Sequence, residues 1–118
     1  MFDNAKNVVS KAWRRVRHDT LNAHDVRLSL VYIHDYWRKL ERFHPKDDET
    51  LLGLPNPYLV PAFEEGHAFD FNELYYWDSY FMVQGMLDEK HKKLVMGILD
   101  NLLYMQKRYK AIPNASRT

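Results

Sequence analysis

Phe71-Asn-Glu-Leu-Tyr-Tyr-Trp-Asp-Ser-Tyr-Phe81 places several aromatic side chains and two carboxylates within eleven residues. We predict that this stretch lies in a helix over residues 72–86, with Asn72 or Asp70 near its N-cap. Aromatic runs usually fill a protein core, and in that interpretation Asp78 is a local cap. A sugar-binding wall needs the same mixture, because an indole stacks on the apolar face of a pyranose and a carboxylate accepts hydrogen bonds from its hydroxyls. Taken alone, the stretch favours the core.

Further helices are predicted on both sides of this stretch. A turn over residues 85–88 leads to a helix that is capped by Asp88 and runs to about Tyr109. Its apolar stripe comprises Leu94, Val95, Ile98, Leu102, Met105 and Tyr109. The two helices should form an antiparallel hairpin. No alternation with a period of two residues indicates a sheet, so the predicted class is all-α.

Two more helices are predicted in the first part of the chain. One begins at Asp25 as N-cap and ends near Phe43, where His44-Pro45 stops it. Its apolar stripe comprises Val26, Leu30, Ile33, Trp37 and Leu40. A shorter helix covers residues 4–18, and its basic face predicts either a solvated surface or a salt-sensitive contact with a polynucleotide, of which we favour the surface.

Residues 45–70 form a long irregular segment that is rich in proline. Its centre, Leu54-Pro-Asn-Pro-Tyr-Leu-Val-Pro61, mixes stiff prolines with large apolar residues. This composition predicts an extended segment packed over a surface and not a flexible linker. Loops of this length are uncommon in compact domains and are often functional.

The composition excludes several classes of function. The chain has no cysteine, which excludes a disulfide framework, a thiolate metal site and a cysteine nucleophile. The formal net charge of +1 indicates neither nucleic acid nor an anionic membrane as a partner. We find no phosphate-binding glycine loop and no His-Glu-x-x-His pattern. We therefore predict no cofactor and no metal, and expect a cytoplasmic protein because the sequence shows neither a signal peptide nor a membrane span.

The proline-rich segment, the aromatic stretch and Ile112-Pro-Asn-Ala-Ser-Arg-Thr118 together resemble the trehalase-type glycoside hydrolases. That family carries a Leu-Pro-x-Pro-Tyr-x-Val-Pro segment, then Phe-x-Glu-x-Tyr-Tyr-Trp-Asp-Ser-Tyr-Phe, and then Ile-Pro-Asn-Gly-x-Arg. The order of these segments agrees with residues 54–61, 71–81 and 112–118, and the spacing between the last two also agrees. The resemblance covers about residues 25–118.

The resemblance implies a fold, a reaction and a set of binding residues. The fold would be an (α/α)6 toroid of antiparallel helical hairpins, and the reaction would be hydrolysis of an α-glucosidic bond with inversion. The matching substrate-binding positions are Phe71, Tyr75, Trp77, Asp78 and Asn114. Trp77 and Phe71 would supply apolar walls to a glucose ring, Asp78 would accept hydrogen bonds from its hydroxyls, and Asn114 would both donate and accept. The expected partners are a small carbohydrate and the remainder of the barrel.

Two departures from the family pattern bear on substrate and activity. The family's Gly-Gly-Arg is replaced by a longer stretch, residues 62–70, and its substrate-binding arginine aligns with Asp70. A carboxylate accepts hydrogen bonds, whereas the arginine guanidinium donates them. The predicted substrate is therefore trehalose or a related α-glucoside. The family's general acid and base lie beyond Thr118. We therefore expect residues 1–118 to be the N-terminal portion of the barrel, inactive alone and without a catalytic residue of its own.

Two other interpretations remain open at the level of sequence. The chain could be a sugar-binding module without chemistry, or a helical interaction protein in which the aromatic stretch is simply core. Sugar affinity of the isolated chain would indicate the first, and shielding of Trp77 from solvent would indicate the second.

Overall fold

The computed structural model describes residues 22–63, 66 and 71–118, so the predicted helix over residues 4–18 lies outside the described part. The chain divides into two compact units, Met1–Asp35 and Tyr36–Thr118. The described part of the first unit, residues 22–35, consists almost entirely of the start of helix α1 (Ala23–Leu40). The second unit holds the remaining described elements and the core.

Helix α1 begins one turn earlier than predicted. The N-cap is Asn22 and not Asp25, because the Asn22 side-chain oxygen accepts a hydrogen bond from the Asp25 N–H at 2.8 Å. Asp25 instead lies in the first turn, where its charge complements the helix dipole. Within the first unit, the apolar side chains of the stripe, Val26, Leu30 and Ile33, are all exposed.

A small sheet follows α1 directly and was not foreseen in the all-α prediction. Strand β1 (Glu41–Arg42) pairs antiparallel with β2 (Tyr58–Leu59), with Glu41 opposite Leu59 and Arg42 opposite Tyr58. The Val60 N–H also donates to the Leu40 oxygen at 3.0 Å. The helix therefore ends at Leu40, three residues before the predicted end, because the backbone that follows pairs with β2. The described part of the chain is mostly helical with this one ladder.

The proline-rich segment belongs to the core and does not merely cover it. Leu52, Leu54, Tyr58, Leu59 and Val60 are each no more than 4% exposed. Gly53 is needed for the tight approach of this segment to residues 46–47. A Cβ at that position would lie 2.5 Å from the Lys46 carbonyl carbon, which is closer than packed atoms allow.

Helix α2 (Tyr76–Gln84) is shorter than the predicted helix over residues 72–86. Residues 71–75 are not helical, and Tyr75 at the N-cap is extended with φ −102° and ψ 131°. Asn72 is therefore not the N-cap, and the other predicted candidate, Asp70, lies outside the described residues. The helix ends in a turn at Gly85 and Met86, whose N–H groups donate to the oxygens of Met82 and Val83. This turn lies where the sequence predicted it.

Helix α3 (Lys92–Tyr109) ends at the predicted residue, and Lys110 in the left-handed region terminates it. Asp88 accepts a hydrogen bond from the His91 N–H at 2.8 Å, so it caps the turn before α3 and not the first turn itself. Val95, Ile98 and Met105 of the predicted stripe are buried, whereas Tyr109 is 39% exposed. Helices α2 and α3 contact each other.

The core of the second unit joins the end of α1, the proline-rich segment and one side of α2 and α3. Its buried apolar residues are Leu40, Leu52, Leu54, Tyr58, Leu59, Val60, Leu74, Val83, Met86, Val95, Ile98 and Met105. Asn101 of α3 is fully buried and holds Asn56 by accepting from its N–H and donating to its oxygen, at 3.0 and 2.8 Å. None of the helices in the described residues is long and apolar enough to cross a bilayer.

Candidate functional site

Residues 114–118, here named the central segment, lie between two other stretches of backbone. On one side, the Tyr76 N–H donates to the Asn114 oxygen and the Ser116 N–H donates to the Leu74 oxygen, each at 2.9 Å. On the other side, the Leu52 N–H donates to the Ser116 oxygen and the Thr118 N–H to the Thr50 oxygen, again at 2.9 Å. Two isolated bridges, Tyr75 with Ala115 and Leu51 with Arg117, complete this arrangement.

The central segment brings Asn114 next to the start of α2. The sequence-predicted residues therefore assemble at one end of that helix: Tyr75 is its N-cap, Trp77 and Asp78 lie in its first turn, and Asn114 bonds to its first N–H through the backbone. Phe71 is joined to the group through its ring contact with Tyr75, at 5.7 Å between centroids and an angle of 84°.

The side chains at this end of α2 are directed toward solvent. Trp77 is 62% exposed, and its ring contacts Tyr76 at 5.3 Å between centroids with an angle of 60°. Asp78 and Asn114 are exposed, Phe71 is 41% exposed, and Tyr75 is half-buried. An exposed indole, a carboxylate and an amide at one end of a helix are side-chain types suited to a sugar ring. In this structure Trp77 is not a core residue.

Glu73 supplies a charge beneath this surface. Its carboxylate lies 3.5 Å from an Arg117 guanidinium nitrogen and accepts the Asn72 N–H at 3.2 Å, and its side chain is only 16% exposed. The predicted helix over residues 72–86 included both Glu73 and Asp78. In the structure Glu73 precedes α2 and contacts Arg117, so it links the aromatic stretch to the central segment.

The tyrosines around Glu73 keep their protons at neutral pH. Burial raises the pKa of Tyr58 to about 12, and the nearby negative charge of Glu73 adds to the shift. Burial also raises the pKa of Tyr75, again with a contribution from Glu73. Tyr58 donates its hydroxyl hydrogen to the Asn72 oxygen. Both phenols are therefore neutral, and the Tyr58 hydroxyl supports the backbone at Asn72.

Three residues that support the site were not predicted from the sequence: Ser116, Glu73 and Arg117. The one available signal was a glutamate within an aromatic run, together with an arginine near the end of residues 112–118. Their contact depends on a pairing between distant parts of the chain, which periodicity does not reveal. In the described residues, no group of three or more histidine, aspartate or glutamate side chains is placed to hold a metal ion.

A protein-family model described as Trehalase matches residues 3–118. The chain belongs to the trehalase family. It is similar to the periplasmic trehalase of Xanthomonas axonopodis pv. citri, with 40% identity over 84 residues, which is 70% of this chain and 14% of that protein. It is also similar to the periplasmic trehalase of Pseudomonas aeruginosa, with 37% identity over 89 residues, 74% of this chain and 15% of that protein.

Membership of the trehalase family confirms the resemblance to trehalase-type glycoside hydrolases. The predicted cytoplasmic location is wrong, because both of these trehalases are named as periplasmic proteins. The expected cytoplasmic location depended on the absence of a signal peptide in these 118 residues. These residues span about one seventh of the matched trehalases, so they do not report on targeting.

Proposed function

We propose that this chain is the N-terminal portion of a trehalase-type hydrolase that cleaves the α-glucosidic bond of trehalose, or of a related α-glucoside, with inversion. The observation that carries the proposal is the exposed Trp77 ring beside Asp78 and Asn114 at one end of α2. These residues, with Phe71 and Tyr75, form one wall of the sugar-binding cleft.

Each residue has a role that suits its chemistry. The Trp77 indole stacks on the apolar face of a glucose unit, and the edge of Phe71 borders the same surface. The Asp78 carboxylate accepts hydrogen bonds from sugar hydroxyls, and the start of α2 favours its negative charge. The Asn114 side chain donates to one hydroxyl and accepts from another, while its backbone oxygen holds the first N–H of α2.

The proposed enzyme is larger than this chain. The chain covers 14% and 15% of the two periplasmic trehalases, and we propose that the rest completes an (α/α)6 toroid and supplies the general acid and base. Inversion needs two carboxyl groups roughly 6.5–9.5 Å apart, on either side of the scissile bond. The 118-residue chain alone is therefore expected not to hydrolyse trehalose. By the names of its relatives, we propose the periplasm as its location.

A chimera tests the proposed activity. This chain replaces its counterpart in the periplasmic trehalase of Pseudomonas aeruginosa, and trehalose hydrolysis is followed by glucose release. We expect hydrolysis by the chimera and a loss of about 100-fold or more in kcat/KM with either Trp77→Ala or Asp78→Ala. The first glucose released should carry the inverted anomeric configuration, which proton NMR reads directly.

Matched controls separate a site effect from a folding effect. Phe43 is also an exposed aromatic residue, at 59%, and Phe43→Ala should leave hydrolysis unchanged. Asp100→Ala removes an exposed carboxylate of α3 and should likewise have no effect. A chimera that melts like the parent enzyme but hydrolyses no α-glucoside would contradict the proposal. So would equal losses in the site and control variants.

A further inference from the structure

We infer that Ser116 is a positioning residue of the candidate site. It fixes one half of the site, Trp77 and Asp78, relative to the other half, Asn114. The inference rests on the proposed function for its activity readout, but its structural part stands on the backbone contacts alone. Ser116 is fully buried, so its side chain supports the site from behind and does not reach a bound sugar.

The Ser116 side chain takes the place of a backbone carbonyl. In an antiparallel pair, two opposite residues exchange both of their N–H···O bonds. Here the Ser116 N–H donates to the Leu74 oxygen at 2.9 Å, but the return bond from the Leu74 N–H goes to the Ser116 hydroxyl oxygen at 2.8 Å. The Ser116 carbonyl accepts the Leu52 N–H at 2.9 Å. The hydroxyl therefore lets one residue hold both neighbouring stretches.

The position of this contact in the chain makes it relevant to the site. Leu74 is fully buried and lies three residues before Trp77, and Asn114 lies two residues before Ser116. The next bond along, from the Tyr76 N–H to the Asn114 oxygen, is at the edge of the site itself. Without the hydroxyl, the Leu74 N–H is left buried without its acceptor, and residues 71–75 lose one of the bonds that set their register.

A second side-chain link between these stretches, among the described residues, is weaker. The ion pair of Glu73 with Arg117 spans the same two stretches at 3.5 Å, but the Arg117 side chain is 54% exposed. Ion pairs in solvent contribute little and are screened by salt. The buried hydroxyl of Ser116 therefore carries most of the side-chain contribution to positioning.

The experiment compares serine variants in the 118-residue chain and in the Pseudomonas chimera. In the chain, Ser116→Ala should make the Leu74 amide exchange with deuterium about tenfold faster or more, and shift the NMR signal of the Trp77 indole N–H. The amide of Ile98, in the core of α3, should exchange as in the wild type. In the chimera, the same variant should lower kcat/KM for trehalose about tenfold, with the larger share in KM.

Ser116→Thr keeps the hydroxyl and should restore both readouts, the Leu74 amide exchange rate and kcat/KM. Ser116→Cys is close in size but a weaker acceptor, so its values should lie between those of Ser116→Ala and the wild type. Ser79→Ala is the matched control: Ser79 is also a buried serine, 1% exposed, and among the described residues its hydroxyl has no hydrogen-bond partner. It should change neither readout.

The outcomes distinguish the inference from the proposed function. An unchanged Leu74 amide in Ser116→Ala overturns the positioning role, whatever the activity. Equal losses in Ser116→Ala and Ser79→Ala, or wild-type kcat/KM in Ser116→Ala, overturn it as well. A chimera that is inactive with the native serine contradicts the proposed function alone. In that case, faster exchange at Leu74 and a shifted Trp77 signal still support the positioning of residues 71–77.

Discussion

Asp47 is an exposed carboxylate whose charge is linked to the fold by hydrogen bonds. Its carboxylate accepts two hydrogen bonds from the Arg108 guanidinium and a third from the Gly53 N–H at 2.8 Å. The bonds from Arg108 and then from Gly53 hold the pKa of Asp47 at about 2, below its usual 3.8. A depressed pKa in the folded state contributes stability above the unfolded value, and that contribution disappears as pH falls through the folded value.

Asp47→Asn tests this linkage, because the amide oxygen can still accept the Gly53 N–H while the charge is removed. We expect the variant to be less stable than the wild type at pH 6, and the difference to shrink as pH falls from about 4 to about 2. The measurement is the urea midpoint of both proteins across that range. Asp100→Asn is the control for removing a carboxylate, because Asp100 lies on α3 about two turns before Arg108. A difference that stays constant with pH would count against the ion pair.

The residues of the site show how far a sequence can specify function. Trp77 and Asp78 are adjacent in the sequence, so they are close to each other whatever the fold. The position of Asn114 beside them was implied only by the resemblance to trehalases, and the backbone bond from Tyr76 to Asn114 supplies its physical reason. The contact of Glu73 with Arg117 was not foreseen, because it depends on pairing between residues far apart in sequence.

At the level of elements, the long periodic helix was the easiest to predict. Helix α3 ends at Tyr109 as its stripe indicated, because many apolar positions repeat at helical spacing. The start of α2 was placed too early, since Leu74 forms hydrogen bonds with Ser116 instead of continuing the helix. Strands β1 and β2 are two residues each, too short to show an alternation in the sequence.

Gly53 and Gly85 provide a test of backbone packing in these elements. A Cβ on Gly53 would meet backbone atoms of Lys46 and Asp47 at 2.5–2.7 Å, so Gly53→Ala requires the segment to move. We expect a loss of about 1–3 kcal/mol in the free energy of unfolding, as for overpacked cores. A Cβ on Gly85 meets its nearest atom at 3.5 Å with φ −81°, so Gly85→Ala should cost less than about 1 kcal/mol.

Chemical denaturation of both glycine variants gives the comparison directly. Similar losses in the two proteins would mean that the close approach at Gly53 does not limit stability. A larger loss at Gly85 would contradict the packing described for the turn after α2.

The described part of the molecule exposes an apolar surface between α2 and α3. A groove of ≈ 530 Å³ between α2 and α3 is lined by Tyr76, Ser79, Tyr80, Val83, Gln84, Ile98, Leu99, Leu102, Leu103 and Ile112. Leu99 and Leu103 on its rim are 42% and 59% exposed, and Tyr80 is 55% exposed. Large exposed apolar patches on an isolated chain favour self-association.

The double variant Leu99→Gln, Leu103→Gln should reduce self-association of the 118-residue chain without reducing its stability. Both side chains are already in contact with water, so a polar replacement removes little buried area. Sedimentation velocity measures the association, and urea unfolding the stability. Ile98→Gln, one residue away but fully buried, should unfold the chain and serves as the contrasting variant. Undiminished association of the double variant would place the adhesive surface elsewhere.

The bond from the Thr118 N–H to the Thr50 oxygen has a consequence for biosynthesis. Residues 50–52 and 74–76 leave the ribosome before residues 114–118, the stretch that both of them pair with. Until then, the backbone groups of residues 50–52 and 74–76 that pair with residues 114–118 have no partner. Closing such long loops also slows folding. We expect ribosome-bound intermediates that stop before Asn114 to be digested readily by protease around Trp77, and those that extend past Thr118 to resist.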